Sequence, residues 1–239
     1  MNPLDVAAFD AARTRVLADI DAACARTGRD PGGVTLVAVS KTVPVDRLRA
    51  AAAAGLTTLG ENRVQEAADK VPLLSGVTWH LVGPLQSNKA RRAIELFDVI
   101  QSVDSVGLAQ RLDRLVAQVR PGTRLTILLQ VNVDDDPAKA GFEVGELPAA
   151  LEALAACPDL DVRGLMTIGR LVGTPEEARA TFRGLREVSE RLRADGATLG
   201  SDLSMGMSDD YPVAVEEGAT IVRVGRALFG ERGPIASSG

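Results

Sequence analysis

Of the 27 basic residues in this chain only four are lysines: Lys41, Lys70, Lys89 and Lys139. The scarcity matters chemically, because arginine stays protonated whereas a partly desolvated lysine can lose its proton and attack a carbonyl to form an imine. Lys41 alone directly follows an apolar run, in the stretch Val37-Ala-Val-Ser-Lys41-Thr-Val-Pro44. The other three fall on expected helices or loops, where a lysine that keeps its charge in water is the simpler expectation. At a strand end the same snorkelling competes with imine chemistry, and position alone does not choose.

Two further segments could hold an anion. In Ser204-Met-Gly-Met-Ser208-Asp-Asp210, small and hydroxylated residues lead into an expected helix. Free backbone N–H groups and the positive end of a helix dipole make such a place an anion cradle. The same residues also make an ordinary cap, with Ser208 as N-cap and Asp209 and Asp210 in the first turn. Downstream, Ile221-Val-Arg223-Val-Gly225-Arg226 puts a charge inside a strand, where it needs a ligand or an acidic neighbour across the fold. Gly225 allows close approach of the backbone to a ligand. An amine and two anion-binding segments together suggest a phosphorylated carbonyl compound, either pyridoxal phosphate or a sugar phosphate. Asn62 follows the second expected strand and can donate or accept. His80, the single histidine, reads as a hydrogen-bonded core residue before a catalytic base. Met166 reads as core filling that could pack on a ring, and Tyr211 as capping-region structure.

Positioning these residues falls to an alternation of strands and helices. Apolar positions Val6, Phe9, Ala12, Val16, Ile20 and Ala23 predict an amphipathic helix ending near Gly28. Short β-branched runs then predict strands near 34–39, 57–60, 78–82, 98–103, 124–132, 162–168, 199–204 and 220–224. Helical stretches are expected near 46–54, 62–71, 87–95, 105–119, 146–156, 175–193 and 209–217. Eight strands joined by helices suit a closed barrel or an open doubly wound sheet, and the count favours the barrel. The expectation is an α/β protein, a single (β/α)8 TIM barrel with an additional N-terminal helix. One domain is expected over residues 1–232, with a frayed tail over 233–239. In such a barrel the loops after the strand C-termini build the site, and phosphate often sits after the last two strands.

Composition narrows the classes. A net charge of −5 without a basic run argues against nucleic acid as a partner. No apolar run approaches the ~20 residues that cross a bilayer, so no membrane association is expected. Two cysteines, Cys24 and Cys157, read as reduced thiols of a cytoplasmic protein, and with one histidine they leave too few ligands for a protein-held zinc.

Six ordered motifs carry a resemblance. They are Ala38-Val-Ser-Lys-Thr42, Gly60-Glu-Asn-Arg-Val-Gln-Glu66, the run from Trp79 to Lys89, Arg163-Gly-Leu-Met166, the run from Leu203 to Asp210, and Val222-Arg-Val-Gly225. On these the chain resembles the YggS/PROSC family, the pyridoxal phosphate homeostasis proteins, related to the N-terminal barrel of alanine racemase. The resemblance implies that Lys41 carries pyridoxal 5′-phosphate as an aldimine and that Arg223 faces the pyridine nitrogen. It implies that Ser204, Met205, Gly206, Ser208, Gly225 and Arg226 hold the phosphate, while Asn62, His80 and Met166 line the ring or the layer behind it. Arg226 stands where many relatives carry a small hydroxylated residue, and Arg63 replaces an aromatic. An arginine beside the pyridine nitrogen disfavours its protonation and weakens the ring as an electron sink. The racemase adds a tyrosine base from a separate β domain, which this chain, ending at residue 239, is expected to lack; Tyr211 does not match it. The resemblance therefore implies storage, buffering or delivery of the cofactor by a monomer, with cofactor-requiring apoenzymes as recipients and no efficient catalysis. A racemase-like enzyme and a Schiff-base aldolase-type barrel are the alternatives.

Overall fold

Short β-branched runs become parallel strands here because a ring of helices covers one face of each and the barrel interior covers the other. The computed structural model describes residues 3–169 and 173–230, so the expected tail from Gly233 to Gly239 lies outside them. The strands are β1 (Thr35–Val39), β2 (Thr58–Glu61), β3 (Thr78–Leu81), β4 (Val99–Val103), β5 (Leu125–Asn132), β6 (Phe142–Glu143), β7 (Leu160–Met166), β8 (Asp202–Ser204) and β9 (Ile221–Val224). All pairings are parallel. β1 pairs with both β2 and β9, and a β4–β5 pairing completes the ring, so the sheet closes through eight strands. The ninth, β6, only extends the end of β5, with Val131 opposite Phe142. Two residues are too few to show a period, which is why the sequence did not reveal it.

The helices are α1 (Pro3–Thr27), α2 (Val45–Ala53), α3 (Val64–Lys70), α4 (Ala90–Leu96), α5 (Val106–Val119), α6 (Leu147–Leu154), α7 (Arg179–Ala194), α8 (Tyr211–Glu216) and α9 (Arg226–Phe229). The expected N-terminal helix is α1, which buries Phe9, Ala12, Val16, Ile20 and Ala23 at helical spacing. It packs on α2, α8 and α9, the helices that follow the first and the last two barrel strands. Phe9 meets Phe229 edge-to-face at 5.6 Å, and Tyr211 donates its hydroxyl to Asp19 at 2.5 Å. No helix among the described residues is long and apolar enough to cross a membrane.

Pleating sends alternate side chains into the lumen. Val37, Val82, Leu128, Met166 and Ile221 form a buried cluster of their own, separate from the large core between strands and helices. Met166 is thus interior packing of the barrel, as its residue type suggested. Gly60 leaves room there, since a Cβ would stand 2.8 Å from Val37. Gly164, from the fourth motif, has a steric role: an added Cβ would lie 1.9 Å from the Asp202 carbonyl oxygen. Gly164→Ala should therefore separate β7 from β8 and destabilise the fold by about 3 kcal/mol. A denaturant midpoint unchanged from wild type would contradict this.

Candidate functional site

Because every barrel strand runs the same way, all strand C-termini open at one mouth. Lys41 lies there, two residues beyond β1 and partly exposed. Asn62, just after β2, is also partly exposed, and its main chain lies against Gly83, where a Cβ would meet the Asn62 carbonyl at 2.4 Å. Lys70 corrects the expectation of a solvated lysine. It is only 6% exposed, with its Nζ 2.7 Å from Glu61 and 2.6 Å from Glu66, because α3 turns its last residue back under the β1–α2 turn.

Across the lumen runs a chain of hydrogen bonds. Arg223, 5% exposed in β9, donates from Nη1 to Ser204 Oγ at 2.7 Å and from Nη2 to the Thr167 carbonyl at 2.8 Å. Ser204 donates to Gln101 Oε1 at 2.6 Å, and Gln101 Nε2 stands 2.7 Å from His80 Nδ1. A guanidinium can only donate, so it sets the direction of the whole chain. The Ser204 hydroxyl proton goes on to Gln101, the amide then turns its NH₂ toward His80, and the imidazole is neutral with its proton on Nε2. Burial acts the same way, pushing the His80 pKa down from 6.5 to about 4. Gln101 and Thr167 were not among the residues singled out from sequence. The available signal was a glutamine inside the apolar run of β4, on the lumen-facing period.

The acid expected as an alternative partner for Arg223 is not in contact with it; among the described residues it forms no ion pair. Burial pushes its pKa down to about 10, and the charge of Asp210 opposes that shift only in part. A largely uncompensated buried cation is costly, and that cost falls if an electron-rich acceptor enters the lumen.

The last two strands bring the anion-binding segments together. Ser208 is not the N-cap of α8, which begins at Tyr211 with Asp210 as cap. Its Oγ accepts instead from the Gly225 N–H at 3.2 Å and the Ala227 N–H at 3.4 Å, at the start of α9. Two main-chain donors thus converge on one oxygen, the requirement a phosphate oxygen would make. Gly206, at φ 89°, admits no side chain, since a Cβ would lie 2.5 Å from that of Ala214. Met205 packs its side chain into the outer core and gives its N–H to Ile221 at 3.1 Å. Gly225 lies close to β1, with its Cβ position 3.4 Å from the Val39 carbonyl. The acidic pair is occupied: Asp210 accepts from the Met207 N–H at 2.6 Å, and Asp209 pairs with the exposed Arg226.

These features define a closed parallel barrel with an amine-bearing turn after its first strand and, after its last, two amides that converge on a hydroxyl from the loop before it. A family model described as "Alanine racemase, N-terminal domain" matches residues 17–233, and the chain belongs to that family. A "pyridoxal phosphate homeostasis protein" of Pseudomonas aeruginosa is 45% identical over 223 residues, covering 91% of this chain and 93% of its own. PipY of Synechococcus elongatus, solved with PLP bound, superposes at a TM-score of 0.77 with 44% identity, covering 89% of this chain and 100% of that one. Its form without PLP gives 0.79 at 45% identity, covering 88% and 99%.

The direction of the lumen chain has a measurable consequence. His80 should remain neutral and Nε2-protonated at pH 6, and ¹⁵N spectra of histidine-labelled protein report on it alone. A ring protonated at that pH contradicts the chain. The unfolded protein takes up this proton near pH 6.5 and the folded one only near 4. Stability from this residue is therefore complete above pH 6.5 and is lost as pH falls toward 4, by about 3 kcal/mol. His80→Gln should flatten that part of the stability–pH curve.

Proposed function

We propose that this chain binds pyridoxal 5′-phosphate at the strand C-terminal mouth, with Lys41 as its point of attachment, and serves in keeping, buffering or delivering the cofactor. One observation carries this reading: the buried Arg223 spends its hydrogen bonds on neutral oxygens, in a barrel whose mouth also holds an amine and convergent amides. Pyridoxal phosphate, when bound, supplies an aldehyde that a lysine amine can capture and a ring that can accept electrons. Lys41 presents the amine. The N–H groups of Gly225 and Ala227, with the Ser208 hydroxyl, receive the phosphate, and the backbone of Met205 and Gly206 shapes that loop. Arg223 opposes a proton on the ring nitrogen by like-charge repulsion. Ser204 orients the Arg223 guanidinium and His80 ends that chain of hydrogen bonds as an uncharged ring, while Asn62 and Met166 border the ring of the cofactor. Arg226 stays at the edge with Asp209.

This assignment suits a carrier. The hydroxyl of Tyr211 is given to Asp19, and burial together with that carboxylate raises its pKa, so it is no base for substrate protons. The reading extends to a single domain over residues 1–232, to a cytoplasmic monomer, and to cofactor-requiring apoenzymes as recipients. The test is an absorbance spectrum before and after borohydride, with mass mapping of the product. The expected result is a visible band lost on reduction and a label on Lys41; no label on Lys41 overturns the site. Racemisation of added amino acids at an ordinary rate, about 10 s⁻¹, would overturn the carrier role.

A further inference from the structure

The second motif contributes more than Asn62. Both residues flanking Lys41 are gripped by side chains from β2 and α3. On one side, the Ser40 carbonyl accepts from Lys70 Nζ at 2.8 Å, while Ser40 donates its hydroxyl to Glu61 Oε1 at 2.6 Å and its N–H to the Gly60 carbonyl at 2.8 Å. On the other, the Thr42 N–H donates to Glu66 Oε1 at 2.5 Å. Thr42 has φ 66°, a left-handed conformation that a β-branched residue adopts only when its surroundings enforce it. Lys70 ties the two sides together, since its amine reaches both Glu61 and Glu66.

This cluster is a poor device for stability alone. Glu61 is fully buried, and among the described residues its Oε2 has no hydrogen-bond partner. Desolvating such a pair offsets most of its attraction, and an apolar replacement would often hold the fold as well. What the cluster does hold is one strained three-residue turn, with the amine-bearing residue at its centre.

We propose that Glu66 and Lys70 are positioning residues that fix the Ser40–Thr42 turn so that the Lys41 amine is presented for covalent capture. The inference rests on the reading of Lys41 as the attachment residue. If the free turn visits the productive conformation about a tenth of the time, apparent affinity for an aldehyde ligand falls about tenfold. A ligand that never meets the amine should be indifferent.

The experiment compares pyridoxal 5′-phosphate with pyridoxine 5′-phosphate, which carries the same ring and phosphate but no aldehyde. Both are titrated into the full-length wild type and into Glu66→Ala, Lys70→Met and Glu66→Gln. Glu66→Ala and Lys70→Met should weaken the aldehyde ligand about tenfold and leave the alcohol unchanged. Glu66→Gln, which keeps an acceptor for the Thr42 N–H, should restore binding. Equal losses for both ligands would mean a merely structural role, and no loss for either would mean no role; each overturns the inference. Should Lys70→Met fail to fold, the partly exposed Glu66 pair decides alone. Wild type that binds neither compound overturns the underlying reading, an outcome distinct from variants that fail to discriminate.

Discussion

Lys41→Ala is expected to abolish the visible band of the cofactor-loaded protein and the borohydride label while leaving the fold intact. The side chain is partly exposed, and the turn around it is held by main-chain groups of its neighbours. Its loss should therefore change unfolding free energy by less than about 1 kcal/mol. Neither Lys70 nor Lys139 is placed to take over. Lys70 is bound to two carboxylates and a carbonyl, and Lys139 donates to the Ile168 carbonyl at 3.2 Å with Asp134 and Asp136 close by. Absorbance and peptide mapping of the variant check this directly. A band that persists would move the attachment point elsewhere and take the turn-clamping role of Glu66 and Lys70 with it.

Arg223→Met should separate binding from stability. The guanidinium is buried, and its pKa is pushed down to about 10, so the folded interior disfavours its charge. Removing it relieves that cost, but leaves Ser204 Oγ and the Thr167 carbonyl without their donor, at about 1–3 kcal/mol. The two effects are of similar size, so unfolding free energy should move by less than about 2 kcal/mol. Cofactor binding has no such compensation. Loss of a charged donor should weaken it by about 1.5–3 kcal/mol, roughly tenfold to a hundredfold. Without the cation the ring nitrogen can take a proton, so the visible band should also shift. Unchanged affinity and spectrum in a folded variant would remove Arg223 from the site. A variant that unfolds would make it a structural residue.

The proposed carrier role makes demands that can be compared with this chain's own atoms. A carrier needs a reversible covalent hold and a seat for the phosphate, with little to promote chemistry on bound amino acids. On the proposed function, Lys41 answers the first need. On the same proposal, the Ser208–Gly225–Ala227 group, where two main-chain N–H groups converge, answers the second. On that proposal, an unneutralised arginine in the lumen and a tyrosine committed to α1 are the features that keep turnover low.

The amino-acid sequence alone determined the order and type of the barrel elements, the placement of Lys41 after the first strand, and the occurrence of a strand arginine beside candidate anion-holding segments. Apolar period, β-branching and glycine are properties of neighbouring residues, so they can be read locally. Tertiary structure decided which distant groups meet. Closure sets β9 beside β1, with Arg223 opposite Val37, and brings Gln101 to Ser204 across 103 residues of chain. It turned Lys70 inward, although a lysine at a helix end ordinarily reaches water, and it sent the Ser208 hydroxyl to α9 instead of its own helix. Those outcomes depend on strand register and on which faces the closed ring leaves opposite one another, and no stretch of contiguous residues carries that information.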